Sequence, residues 1–267
     1  MRGAVAERGI AITALAVPVL AGLAYLQAWG APPRYVAVNA GAMLLAAVWI
    51  ALAPALGCRA RRVLIALALA LLFAPLATGP WVNGVARWVP LGAFQLHAGM
   101  IAVPVLAVLA GEEPDNAPAL LSAALLATLL QPDMASAAAL MLAAVGLCDA
   151  TRDWRHAAFA VVALVAALVA AMRGELPPQR YVEHVIALLA RTDPLAALAL
   201  LGALLASFFI MVGPLSGAEP SRKALAGSLF GFSYAGLVSN YPSALVGYGA
   251  APILGFGLAL GLLRSAR

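Results

Sequence analysis

The sequence predicts an all-α integral membrane protein: one polytopic membrane domain spanning residues 1–267, with about ten transmembrane helices joined by short loops. Three observations carry this. Hydrophobic residues make up 64% of the chain and charged residues only 10%, a balance that a soluble domain of 267 residues could not present to water. Apolar runs of roughly the length needed to cross a hydrocarbon core of about 30 Å recur from one end to the other, several of them short. The Lys and Arg residues fall between those runs, and unevenly between alternate loops.

Taken in order, the first run covers about 10–29 and follows Arg2 and Arg8. It is about 20 residues long and has no small-x-small cleavage site before a soluble domain, so it reads as a helix and not a signal peptide. Runs at 35–56 and 62–79 are separated by the basic segment holding Arg59, Arg61 and Arg62. A polar, Gly-bracketed interruption over 80–96 precedes the run at 97–111, and the acidic turn "EEPDNAP" at 112–118 follows it. Runs at 117–131 and 134–150 abut at Gln131-Pro132-Asp133, where the proline breaks the helix. Then come 155–172, a polar segment over 173–193, and runs at 194–215, 222–239 and 246–263.

With the N-terminus placed in the cytoplasm, the inner segments hold 11 of the 16 basic residues: Arg2, Arg8, Arg59, Arg61, Arg62, Arg152, Arg155, Arg222, Lys223, Arg264 and Arg267. The outer segments hold the other 5: Arg34, Arg87, Arg173, Arg180 and Arg191. Both termini are therefore expected inside. The net charge of +5 is spread over short connections and not gathered on one face, which argues for topology signals and against nucleic-acid binding. Cys58 and Cys148 fall on the cytoplasmic side, where thiols stay reduced, so no disulfide is expected.

The four interruptions that look least like connectors all fall on the external side: 80–96, 131–134, 173–193 and 240–246. Irregular backbone at membrane depth is tolerated only where it is buried in protein or lines a wet cavity. A shared polar vestibule on that side is the expected consequence.

The residues in these interruptions resemble a known family. Asn83-Gly84, Arg87-Trp88, Leu91-Gly92 and Gln95 are similar to "NGxxRWxxLGxxxxQPSE", "LLQPDMASA" at 129–137 to "LLQPDLGTA", and "YPSALVGYGAAPIL" at 241–254 to "PFxSYGGSSxL". These are motifs of the SEDS family of shape, elongation, division and sporulation proteins. The resemblance covers nearly the whole chain. It implies a bacterial inner-membrane peptidoglycan glycosyltransferase that polymerises lipid II during cell-wall synthesis, cell division or cell-shape control. It also implies a class B penicillin-binding protein as partner.

The departures are specific. The family's acidic position in the first motif falls on Ala98, the Pro-Ser before it on Leu96-His97, and the Lys a turn later on Ile101. The small hydroxyl residues after Gly249 are Ala250 and Ala251. The family's long external loop, which carries its catalytic Asp, is reduced to "RGELPPQRYVEHVIALLARTD", where Glu183-His184 replaces Thr-Asp.

Glycosyl transfer from a lipid-linked pyrophosphate needs a base near the attacking hydroxyl. It also needs basic side chains, or a divalent cation travelling with the pyrophosphate, to stabilise the leaving group. Glu183 is the acid in the aligned place, with His184 the second candidate base. Arg87 and Arg180 are the candidate pyrophosphate forks. Asn83, Trp88, Gln131, Asp133 and Tyr248 complete the substrate-binding set that the motifs imply.

Each has a structural alternative. Trp81, Arg87 and Trp88 fit an interfacial belt, and Asp133 fits an N-cap for the sixth helix. Glu183 and His184 fit the wet face of an amphipathic helix over about 180–191. His97 and His156 lack metal-ligand spacing to either cysteine, and no metal is expected. The functional alternative to a polymerase is an inactive homologue that binds lipid or acts as a scaffold in a cell-wall complex. A transporter is disfavoured, since neither a repeated half nor paired mid-helix charges are present.

Overall fold

The computed structural model describes residues 2–92, 94–174 and 176–263; Arg264 and Arg267, named above, and Glu175 of the polar segment over 173–193 lie outside the described residues. The elements are α1 (Arg2–Ala28), α2 (Pro33–Leu52), α3 (Cys58–Thr78), β1 (Trp88–Leu91), β2 (Phe94–His97), α4 (Ala98–Glu112), α5 (Ala117–Leu130), α6 (Met134–Thr151), α7 (Trp154–Ala171), α8 (Val185–Thr192), α9 (Pro194–Val212), α10 (Glu219–Val238) and α11 (Ala250–Leu262). The ten apolar runs are ten of these helices. The additions are a small antiparallel hairpin inside the first polar interruption and the short α8 inside the third.

Local chemistry sets the starts. Proline stands in the first turn of α2, α5, α9 and α10, where a missing N–H costs nothing. Asp153 and Asp193 cap α7 and α9 by accepting the amides of Arg155 and Ala196.

Six helices, α1, α2, α3, α6, α7 and α9, are long and apolar enough to cross a membrane. α4, α5 and α11 are shorter than the roughly 20 residues a span requires. α4 and α11 are also the most enclosed: nearly every residue of α4 from Ala98 to Gly111 is buried. The hairpin-bearing connection from α3 and the connection from α10 lead into these two short helices.

The centre is held by close backbone approach. Gly227 and Gly231 form a GxxxG face on α10, and a Cβ on either would collide with the α6 backbone at Leu142 or at Ala138 and Ala139. Gly255 of α11 meets the Met100 carbonyl of α4 in the same way.

The two ends of the bundle differ. One gathers the N-terminus of α1 and the α2–α3, α4–α5, α6–α7 and α9–α10 connections, and both cysteines, unpaired, lie there. Three of its basic residues are paired locally: Arg61 with Glu112 at 2.9 Å, Arg155 with Asp115 at 3.0 Å, and Lys223 with Asp149 at 2.6 Å. Arg8 and Arg222 donate to carbonyls at the C-terminal ends of α2 and α9. The other end carries the hairpin, the Gln131-Pro132-Asp133 turn, the 172–184 segment with α8, and the 239–249 loop.

Candidate functional site

The site begins with a turn. Val82 and Val85 pair across Asn83 and Gly84, both left-handed at φ 50° and 76°, which is the geometry Asn-Gly favours in a two-residue reversal. The chain then enters β1, where Trp88 lies opposite His97 of β2 in register and the Ala98 amide donates to the Arg87 carbonyl at 3.0 Å.

That pairing drives the Arg87 side chain inward, leaving it only 2% exposed. Its guanidinium carbon sits 4.3 Å from the Tyr241 ring centre and 5.4 Å from that of Trp88, close enough for cation–π attraction to both. Its Nε and Nη2 have no hydrogen-bond partner among the described residues.

The 172–184 and 239–249 segments are sewn together. The Ser243 amide donates to the Val182 carbonyl at 2.8 Å, the Val185 amide to Ser243 Oγ at 3.2 Å, and the Tyr248 amide to the Tyr181 carbonyl at 2.7 Å. His184 Nε2 donates to Asn240 Oδ1, and Asn240 Nδ2 donates to the Leu176 carbonyl at 2.9 Å. From α2, buried Asn39 clamps the second segment with both ends of its amide: Nδ2 to the Gly247 carbonyl at 2.9 Å, and Oδ1 from the Gly249 amide at 3.1 Å.

Glu183 is presented between two left-handed residues, Tyr181 at φ 70° and His184 at φ 54°. Non-glycine residues hold that conformation only where the surroundings impose it. Its carboxylate accepts the Gln179 amide at 2.6 Å. Burial lifts the Glu183 carboxyl above its ordinary pKa, opposed by that hydrogen bond, by its own amide, and by His184 and Arg87.

These parts enclose a cavity of about 450 Å³. Of the residues the sequence nominated, Arg87, Trp88, Glu183 and Tyr248 line it. Tyr248 stacks on Tyr35 of α2 at 3.7 Å between ring centres. The rest stand elsewhere. Asn83 is exposed in its turn, and Arg180 is exposed, lying over the Tyr181 ring at 4.8 Å. Gln131 is buried and donates to the Leu72 carbonyl. His184 faces Asn240, and α8 begins at Val185, so neither Glu183 nor His184 belongs to the helix expected over 180–191.

Asp133 lies beneath the cavity. One oxygen caps α6 through the Ser136 amide at 3.1 Å; the other is 3.7 Å from Nε2 of His97, which lines the cavity. Asn39, Tyr241 and His97 are thus structural members of the site that motif reading did not nominate. Among the described residues no group of three His, Cys, Asp or Glu converges as a metal ligand set.

Fold and site together define a multi-pass helical membrane protein with a polar cavity at one end of the bundle. Its fold is that of RodA. Rod shape determining protein RodA of Thermus thermophilus aligns with 95% of this chain and 94% of its own at a TM-score of 0.65 and 22% identity. An aspartate-to-alanine mutant of the same protein aligns at 0.66 and 22%, covering 95% of each chain. A chain from a peptidoglycan synthase complex that coordinates polymerization and crosslinking aligns at 0.65 and 21%, covering 94% of this chain and 96% of its own. No protein-family model and no curated protein matches the chain.

Proposed function

We propose that this chain is a SEDS-like peptidoglycan glycosyltransferase that polymerises lipid II in the bacterial inner membrane, with both termini cytoplasmic and the cavity external. The observation that carries the reading is Arg87: a buried guanidinium with two unpartnered nitrogens in the wall of a cavity that Glu183 also lines. An uncompensated buried charge costs several kcal/mol, and a lipid-linked pyrophosphate supplies the compensation. Glu183 takes the proton of the attacking sugar hydroxyl, and its raised pKa suits a group that must accept one. The RodA fold and the synthase-complex likeness support a class B penicillin-binding protein as partner.

A second reading is favoured by one observation. The Glu183 carboxylate is already engaged by the Gln179 amide, and its segment is cross-linked to 239–249, as in a lipid-binding or scaffold homologue whose acid serves the fold.

Glu183→Gln separates the two, since glutamine still accepts the Gln179 amide but cannot take a proton. Polymerisation of labelled lipid II by the purified protein with candidate partners should fall about 10²- to 10⁴-fold while the melting temperature holds. In the unsubstituted protein the acid limb of the rate profile should lie above the ordinary glutamate range, because the protonated, inactive form persists to higher pH than in a free side chain. Full activity of Glu183→Gln would remove the base assignment, and absence of any glycan product with every partner would leave the scaffold reading.

A further inference from the structure

Of the arginines at the cavity end, three have a place already. Arg87 is buried beside the cavity, Arg173 donates to the Leu129 carbonyl at 3.3 Å, and Arg191 stands in the last turn of α8, where the helix dipole favours a cation. Arg34 and Arg180 are left over. Both are exposed, and neither forms an ion pair among the described residues. Arg34 also stands in the first turn of α2, which holds no acid, so its charge adds to the positive end of that helix dipole.

The two cations stand on one group of rings. The Arg34 guanidinium carbon lies 5.4 Å from the Tyr35 ring centre and that of Arg180 4.8 Å from the Tyr181 ring centre, and the two rings meet edge to face at 6.4 Å. Tyr181 is fixed in turn by the end of α1: its hydroxyl donates to the Trp29 carbonyl at 2.9 Å, and its ring lies 6.3 Å from that of Tyr25. The group forms where α1 ends and α2 begins, the level at which tyrosine and tryptophan gather at a membrane surface.

Below Arg34 the same face of α2 runs through Ala37, Gly41, Leu44, Val48 and Leu52, spaced three and four residues apart, and all of them are exposed. A Cβ on Gly41 would meet nothing within 4 Å, so this face is open. Two unpaired cations at the head of an open apolar face match an anion that carries a hydrocarbon chain. A free phosphate would leave the face uncovered, and an apolar helix would leave the cations unmatched.

We propose that Arg34 and Arg180 bind the phosphodiester headgroup of one anionic phospholipid of the surrounding bilayer, with an acyl chain along the α2 face below Arg34. Guanidinium groups take phosphate oxygens through their forked N–H donors, and the rings hold the two forks in place before the lipid arrives. Neither arginine lines the cavity, and the site stands whether or not the chain polymerises glycan.

Native mass spectrometry of the purified full chain in detergent, titrated with dioleoyl phosphatidylglycerol or dioleoyl phosphatidylcholine, tests this without any polymerisation assay. One phosphatidylglycerol should be retained in preference to phosphatidylcholine. Its apparent affinity should fall about fivefold in Arg34→Gln and in Arg180→Gln, and about twenty-five-fold in the double variant, with the preference gone. Arg191→Gln removes the same charge from the same end and should keep the preference.

Equal retention of the two lipids by the unsubstituted protein overturns the site. So does an equal loss in Arg191→Gln, which would leave only a diffuse effect of net charge. Displacement of the lipid by millimolar glycerol 3-phosphate would assign the cations to a free phosphate compound and overturn the lipid. A dimer that forms with exclusion of the lipid would give the face to a second copy, with the same result. If the double variant melts early, the single variants decide: undiminished retention in both refutes the site, and a fall in both at an unchanged melting temperature supports it.

Discussion

At one end of the bundle Arg61, Arg155 and Lys223 each form an ion pair with a carboxylate; at the other, Arg87 is pulled under the surface among aromatic rings and makes no ion pair among the described residues. The same residue class does two jobs. Exposed pairs contribute little to stability and serve to fix which side of a membrane an end occupies. A buried guanidinium is costly to fold around, and the proposed ligand would offset that cost. Polar content alone does not separate the two ends; the placement of each charge does.

The contrast breaks outright if the bundle is inserted the other way. In a protein with Cys148 replaced by serine, an impermeant maleimide applied to intact spheroplasts should label Gln179→Cys, which is exposed at the cavity end, and spare exposed Cys58 until the membrane is opened. Labelling of Cys58 alone would put the cavity on the cytoplasmic face. Less drastic is the loss of the Asn39 clamp. Asn39→Ala leaves a buried carbonyl at Gly247 and a half-buried amide at Gly249 without their partner, at about 1–3 kcal/mol in total. It should lower the detergent melting temperature and expose 239–249 to protease, and an unchanged melting curve would mean that the loop is held by other contacts. Smallest of all, Lys223→Ala at the paired end should leave the melting temperature in physiological salt indistinguishable from that of the unsubstituted protein, because its partners Asp149 and Glu219 stay solvated. A clear drop there would erase the distinction between the ends.

Helix count and order were legible because run length and charge placement act over twenty residues at a time, and the gathering of the polar loops at one end followed from alternation alone. Smaller features left weaker traces. The hairpin over 88–97 has four-residue strands, too short for a period-two pattern to stand out beside apolar helices. Glu183 and His184 read as helical because Val182, Ile186 and Leu189 are spaced for a helix, yet the left-handed backbone at His184 starts α8 one residue later. Asn83 carried a motif letter, and the Asn-Gly pair already specified a turn, which accounts for its exposed position. Asn39 left a usable signal, a single polar residue deep in an apolar run, and such residues are seldom idle. Gly227 and Gly231 likewise stood in plain GxxxG spacing.

The cross-links between 172–184 and 239–249 have a dynamic consequence. No bond of the Ser243–Val182, Val185–Ser243 and Tyr248–Tyr181 set can open far without loading the others, and Asn39 ties the whole to α2. The two segments, 56 residues apart along the chain at His184 and Asn240, therefore behave as one cooperative unit, their amides exchanging with solvent in a common opening event and not segment by segment. The wall that holds Glu183 and the wall that leads into α11 rise and fall together, so the cavity is either assembled or absent.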